Sequence, residues 1–199
     1  MSEVTPRVGE LRPGGRAERV RSAVLGAASA LLSEVGYEMM SVEDVATRAG
    51  VHKTTVYRRW PTKAALTADA VALHATEVIP IPDTGAVASD LRLLVRQVVA
   101  SNGTAQGTRQ ARSFVAAAAT SNELAELMHT FWSQRLELSA QIIERGIDRG
   151  ELPAATDANL IIEMVIGPIW LRLLLTNEPI TEEFADQIVE LVVAGITRV

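Results

Sequence analysis

Ser41 to Trp60 reads SVEDVATRAGVHKTTVYRRW, and this stretch decides the fold. Ser41-Val42-Glu43-Asp44 resembles a capping box, with Asp44 standing where Glu or Gln is usual. The short helix that follows carries Val42, Val45, Ala46 and Ala49 on its apolar side. Gly50 ends it and, lacking a Cβ, suits a left-handed turn position. His52 to Arg59 makes a second short helix, which Pro61 stops one residue after Trp60. Ala46 is small where two short helices must cross closely, and Val45, Val51 and Val56 supply apolar contacts between them. A capped helix, a glycine turn and a second helix make a helix-turn-helix.

The second helix has an outward polar set: His52, Lys53, Thr54, Thr55, Tyr57, Arg58 and Arg59. A recognition helix presents its N-terminal residues to base edges in the major groove of DNA. Lys53 is a candidate donor to guanine O6 and N7, and the methyl of Thr54 or Thr55 a partner for a thymine methyl. Tyr57 and Lys63 are candidates for phosphate oxygens, which position the helix without reading sequence. Arg59 suits either role. The helix start at Ser41 offers free backbone N–H groups to a further phosphate. The competing reading is a helical hairpin with a solvated basic face. Against it stand a turn glycine, a cap and a proline stop, all spent on two helices too short to bury much surface.

Outward from this unit, the 199-residue chain is 48% hydrophobic but only 4% aromatic, so its core is built from Leu, Val, Ile and Ala. It has no cysteine, which excludes disulfides, thiolate metal sites and cysteine nucleophiles. The formal net charge of −5 conceals a division. Residues 1–63 hold 10 Lys and Arg against 7 Asp and Glu, a net of +3, and residues 64–199 hold 9 against 17, a net of −8. A basic head on an acidic body follows.

The first 15 residues, with two prolines and three glycines, read as a disordered basic arm, either a mere tail or one whose Arg7 and Arg12, with the adjoining Arg16, touch phosphates. From Arg16 the pattern is helical, with Val20, Val24, Ala27/Ala28, Leu31, Leu32 and Val35 at three- and four-residue steps and Gly36 as the stop. Further helices read at about 63–78, 86–101, 108–120, 123–149, 157–176 and 181–197. They are separated by Ile79-Pro80-Ile81-Pro82-Asp83, Asn102-Gly103 with Gly107, Ser121-Asn122, Gly150 to Pro153, and Asn177 to Pro179. The fold class is all-α, about nine helices. A DNA-binding domain spans 16–62 and a helical domain 63–199.

The segment Ala27 to Ala70 resembles the DNA-binding domain of TetR-family transcriptional regulators. Gly36-Tyr37, Ser41 to Ala46, Ala49-Gly50-Val51, Thr55-Val56-Tyr57, Trp60 and Lys63 to Leu66 carry the resemblance. It implies Ser41, Thr54, Thr55, Tyr57, Arg59 and Lys63 at the DNA, with Lys53 in the usual base-reading position. Arg58-Arg59-Trp60 departs from the many members that have Tyr or His and then Phe. The tryptophan still suits the packing role, and the extra arginine strengthens phosphate contact. The resemblance also implies a repressor released from its operator by a small apolar inducer enclosed among the middle helices. Phe114, Met128, Phe131, Trp132 and Leu136 are the candidate lining, and His74, His129 and Arg135 the polar groups. For any one of these residues ordinary core packing is the better account.

In 157–176, Leu160, Met164, Gly167, Trp170/Leu171 and Leu174 make one apolar stripe. In 181–197, Phe184, Ile188, Leu191/Val192 and Gly195 make another. The short Asn177-Glu178-Pro179 link makes these helices antiparallel neighbours. The first is apolar nearly all round, through Ile161, Ile162, Val165, Ile166 and Ile169, and so needs two packing partners. By resemblance the pair docks on its copy in a homodimer, which would match a palindromic operator. Pro168 lies inside the first helix and is expected to kink it.

An enzyme is disfavoured. The three histidines, His52, His74 and His129, have no metal-ligand spacing. No nucleophile elbow, phosphate loop or dinucleotide turn occurs. No catalytic residue, metal or cofactor is expected. With no uninterrupted apolar run of membrane-spanning length and a polar N-terminus, a cytoplasmic protein is expected. The alternative function is a helical small-molecule-binding or interaction protein without DNA binding.

Overall fold

The computed structural model describes residues 15–196, the side chains of His74, Thr76, Glu77 and Val78 apart. The arm expected over residues 1–15, with Arg7 and Arg12, falls outside the described residues except at Gly15. Arg16 is exposed in the first turn of the first helix, α1 (Gly15–Met39). Val24, Ala27, Ala28 and Leu32 are buried along α1, as their spacing predicts, together with Leu25, which that spacing does not include, whereas Val35 is exposed. The regular course of α1 stops at Gly36, whose φ of 79° and ψ of 170° disfavour any residue with a Cβ. The chain then turns back, and the Met40 N–H donates to the Gly36 carbonyl at 3.2 Å.

Three further helices complete the head: α2 (Val42–Arg48), α3 (Lys53–Arg59) and α4 (Lys63–Val78). Val24, Leu25, Leu32, Val45, Val56, Trp60 and Leu66 form its core. The body consists of α5 (Val87–Asn102), α6 (Ala105–Thr120), α7 (Asn122–Asp148), α8 (Ala158–Leu171) and α9 (Glu182–Ile196), packed around residues such as Leu91, Val95, Ile143, Ile162 and Val189. The described residues thus hold nine α-helices, one π-helical segment and no strand. Caps fix several starts. Thr62, Thr104, Ser121 and Asp157 each accept a backbone N–H with the side chain at the entry to α4, α6, α7 and α8.

Helix α4 is shared between head and body. Leu66 and Ala70 face the head core. Ala64 and Val71 join a separate cluster with Ala117 of α6 and Leu124 and Met128 of α7. Within the body, Arg96 of α5 donates to Asp186 of α9 through two nitrogens, one at 2.9 Å. The charge division falls at the first residue of α4, whose remaining residues add Asp69 and Glu77 to the head. The first 14 residues hold two Arg and two Glu, so the positive excess of the N-terminal third lies in the folded head.

Pro168 does not interrupt α8. The helix continues through it and then widens into a π-helical segment, Arg172–Thr176, closed by Asn177 at a left-handed φ of 57°. Proline withholds the N–H that would bond the Met164 carbonyl four residues back, and the helix carries on past that gap. By length and composition Ala158–Thr176 is apolar enough to cross a membrane, although Glu163 and Arg172 interrupt it. Ile161, Ile162, Val165 and Ile169 bury one side of it in the body core.

Candidate nucleic-acid interface and cavity

The turn between α2 and α3 is built from backbone hydrogen bonds. Ala49 N–H donates to Val45 O at 2.9 Å, Gly50 N–H to Thr47 O at 3.1 Å and Val51 N–H to Ala46 O at 3.0 Å. Gly50 has φ 67°, the left-handed position that its place in the sequence predicts. Val45 and Val56 are fully buried where the helices meet, beside Ala46. Trp60 closes α3 from below. Its ring is buried, and its indole Nε1 donates to Asp69 Oδ2 of α4 at 2.9 Å. Arg59 lies over the same ring at 5.5 Å. With that face anchored, His52, Lys53, Thr54, Tyr57, Arg58 and Arg59 are exposed and Thr55 is half-buried.

Sequence reasoning missed Glu43. This carboxylate on α2 stands 3.7 Å from Lys53 Nζ, and Tyr57 Oη donates to the same Oε1 at 3.5 Å. Lys53 and Tyr57 are one helical turn apart, so they share a face, and that face meets Glu43. Ser41 has its hydroxyl engaged in the cap, accepting from Asp44 N–H at 3.0 Å and donating to Asp44 Oδ2 at 2.6 Å. Asp44 thus answers the hydroxyl rather than the backbone N–H of a standard capping box. Lys63 is half-buried. It donates to Tyr37 O at 2.9 Å and sits 4.2 Å from the centre of the Tyr37 ring. Arg48 ties α2 to α1 through a two-nitrogen contact with Glu34, which holds the Glu34 carboxyl below its ordinary pKa.

A cavity of about 540 Å³ lies among α4, α5, α6, α7 and α8. Phe114, Met128, Trp132, Arg135 and Leu136 line it, as the sequence reading expects. Phe131 does not. It packs edge-on against Trp132 at 5.0 Å from outside the lining. His129 is exposed, and the side chain of His74 lies outside the described residues. Trp170, placed by its spacing in a dimer stripe, is instead a wall of the cavity, 5.8 Å from Trp132. Arg135 is only 9% exposed and donates to the Ile79 carbonyl that ends α4. Gln110, also in the lining, donates to Ser29 Oγ of α1. No local signal marks this pair, because its partners are far apart in sequence and meet only through the packing of α6 on α1.

The exposed side of α8 and α9 carries large apolar residues among Glu163, Glu183, Gln187 and Glu190. Leu160, Met164 and Leu171 are each about half exposed, and Leu191 is 76% exposed. Gly195 is exposed as well, and Gly167, also exposed, borders the cavity. The remaining members of the two predicted stripes point elsewhere. Ile188 and Val192 are buried in this chain's own core, Leu174 lines the cavity, and Phe184 lies beneath the Arg172 guanidinium at 3.4 Å. Both sides of α8 carry apolar residues, so spacing alone does not separate its inner face from its outer, whereas α9 exposes Glu183, Gln187 and Glu190 beside Leu191.

Two family models match the chain. Residues 24–70 match the bacterial regulatory proteins of the tetR family, and residues 81–192 match the tetracyclin repressor-like C-terminal domain. The HTH-type transcriptional regulator AqdR of Rhodococcus erythropolis is 35% identical over 90% of this chain and 86% of its own length. YdeS of Bacillus subtilis strain 168, also an HTH-type transcriptional regulator, is 33% identical over 87% of this chain and 88% of its own. The crystal structure of the TetR-family transcription regulator SCO0332 superposes with a TM-score of 0.74 at 30% identity, covering 89% of this chain and 98% of that one. The N-terminal match contains the helix-turn-helix built above, and the C-terminal match contains most of the cavity and of the α8–α9 pair. The chain therefore belongs to the TetR family and is a DNA-binding transcriptional regulator, not an enzyme.

Proposed function

We propose that this regulator is a repressor that binds a palindromic operator as a homodimer and leaves it when a small molecule fills the cavity. The observation that carries the reading is the exposed face of α3, with Lys53, Thr54 and Tyr57 held outward by the buried Val56 and Trp60. In this reading Lys53 and Thr54 read bases, while Tyr57, Arg58, Arg59 and Lys63 hold phosphates. Ser41, His52 and Thr55 sit at the rim of the same surface. Two such helices reach successive major-groove faces only if two chains are joined about a two-fold axis, with half-sites one helical turn or a multiple apart. The uncovered leucines and Met164 on α8 and α9 favour that side for the joining, because an apolar surface of this kind is stabilised by meeting its copy. A protein with this task works in the cytoplasm, where bacterial DNA lies.

Release by a ligand is favoured by contacts that connect head and body. Thr62, the cap of α4, donates to Glu123 of α7 at 2.7 Å, Gln110 of the cavity holds Ser29 of α1, and Arg135 of the cavity holds the end of α4. A ligand that binds better to one arrangement of these contacts shifts the population toward it, and a changed spacing of the two α3 helices then mismatches the operator. Selection of bound sequences from random DNA, followed by a mobility-shift titration across salt concentrations, tests the reading. Expected are a two-fold symmetric consensus and affinity that falls steeply with salt as phosphate neutralisation releases counterions. A consensus without symmetry would count against the homodimer.

A further inference from the structure

Resting on the reading of the cavity as a ligand site, we propose that its ligand is an apolar organic acid whose anionic oxygens are held by Arg135. Of the five N–H groups of a guanidinium, one is accounted for by the Ile79 carbonyl. Among the described residues no carboxylate pairs with it, although Arg135 is nine-tenths buried and lines the cavity. Burial alone lowers its pKa. A cation taken out of water without a counter-charge is costly, and an anion delivered to it gains charge-assisted hydrogen bonds where competing water is scarce.

The rest of the lining narrows the ligand further. Leu94, Phe114, Met128, Trp132 and Trp170 present apolar surface, so the acid carries a bulky or extended apolar body. The other polar groups have local partners. Gln110 donates to Ser29, Ser139 Oγ donates to the Arg135 backbone carbonyl at 3.0 Å, and Asn102 Nδ2 donates to Val98 O at 2.9 Å. Ser101 is likewise partnered. Glu163 is the one carboxylate of the lining and would by itself favour a cation. It is exposed, however, so water screens it, while the buried Arg135 acts through a medium of lower dielectric.

The full-length protein can be titrated with three probes of one chain length, decanoate, decanol and decylamine, following the fluorescence of Trp132 and Trp170 and, separately, the heat of binding. Decanoate is expected to bind at least about tenfold more tightly than decanol, the order of one charge-assisted hydrogen bond, with decylamine weakest. In Arg135→Met that preference is expected to vanish while decanol binding persists. Decanol binding as well as decanoate to the unaltered protein would overturn the proposal, and so would a preference for decanoate that survives Arg135→Met. Both outcomes leave the cavity a ligand site. Failure of all three probes to bind would overturn the ligand reading of the cavity, and the proposal with it. Should Arg135→Met not fold, as judged by circular dichroism, the ratio measured on the unaltered chain decides.

Discussion

The Lys63 ammonium donates to the Tyr37 carbonyl at 2.9 Å and lies 4.2 Å from the centre of the same residue's ring. One side chain thus fastens the first turn of α4 to the end of α1. Lys63→Ala removes a charged hydrogen bond and a cation–π interaction at once. It is expected to lower stability by about 1–3 kcal/mol, measured by urea unfolding. If Lys63 also meets a phosphate, the slope of log affinity against log salt falls by about one in the same variant. An unchanged slope would restrict Lys63 to its structural role.

Glu43 restrains the exposed face of α3. It meets Lys53 and Tyr57 through one carboxylate oxygen, and DNA that binds these two side chains as proposed competes with it for both. Because the pair is exposed, its worth is about 0–1 kcal/mol, so Glu43→Gln is expected to tighten binding to unrelated DNA by at most about fivefold. Lys53→Ala should instead relax the sequence preference at one base pair of each half-site, by about 1–3 kcal/mol of discrimination. Competition with scrambled duplexes separates the two effects.

The two faces of α8 and α9 make different predictions. Leu171→Lys with Leu191→Lys alters only exposed positions, so the chain should stay folded yet sediment as a monomer and lose operator affinity. Ile188→Ala opens the internal core and should cost about 2–5 kcal/mol of stability. A dimer that survives both lysines would move the interface elsewhere.

The head was legible in the sequence because its signals act within a few residues. Gly36, Ser41, Gly50 and Pro61 each fix a helix end by backbone conformation, capping or a missing N–H, none of which needs distant contacts. Helices α4 to α9 were legible as elements for the same reason, through their separators and apolar spacing. What escaped depends on how helices cross. Glu43 meets Lys53 only at the α2–α3 angle adopted, and Gln110 meets Ser29 only because α6 lies on α1. Likewise Trp170 and Leu174 share a helix with Leu171, yet two of them face a cavity and one faces outward. The period of an apolar pattern shows that a face exists and leaves its partner open.

The Gln110–Ser29 hydrogen bond invites a double-mutant cycle. Ser29→Ala leaves the half of the Gln110 amide that faced it without a partner in a largely buried place, at a cost of about 1–3 kcal/mol. Adding Gln110→Leu should recover much of that loss. If this link relays cavity occupation to the head, the double variant also holds its operator when ligand is present, which a mobility shift with and without ligand reads directly.

Acid stability follows from three carboxyls that bind protons less readily in the folded chain. Arg48 lowers Glu34, the Val87 N–H and then Arg149 lower Glu151, and Arg96 lowers Asp186. Their contribution is complete above the ordinary values of 4.5 for Glu and 3.8 for Asp, and is lost as pH falls through the depressed folded values. Glu151→Gln should therefore flatten the acid limb of a thermal-unfolding profile while leaving its shape near neutrality unchanged.

The separation of charge along the chain, +3 over residues 1–63 and −8 over the rest, gives the helix-turn-helix a sign opposite to that of the helices that follow it. Near a duplex, that separation turns the molecule before any atom touches. The phosphates draw the head in and push the body away, so productive encounters are enriched and sideways adsorption of the body is discouraged. The acidic residues of the body thus bear on how the chain approaches a duplex, as a rudder that works only while salt leaves the field unscreened.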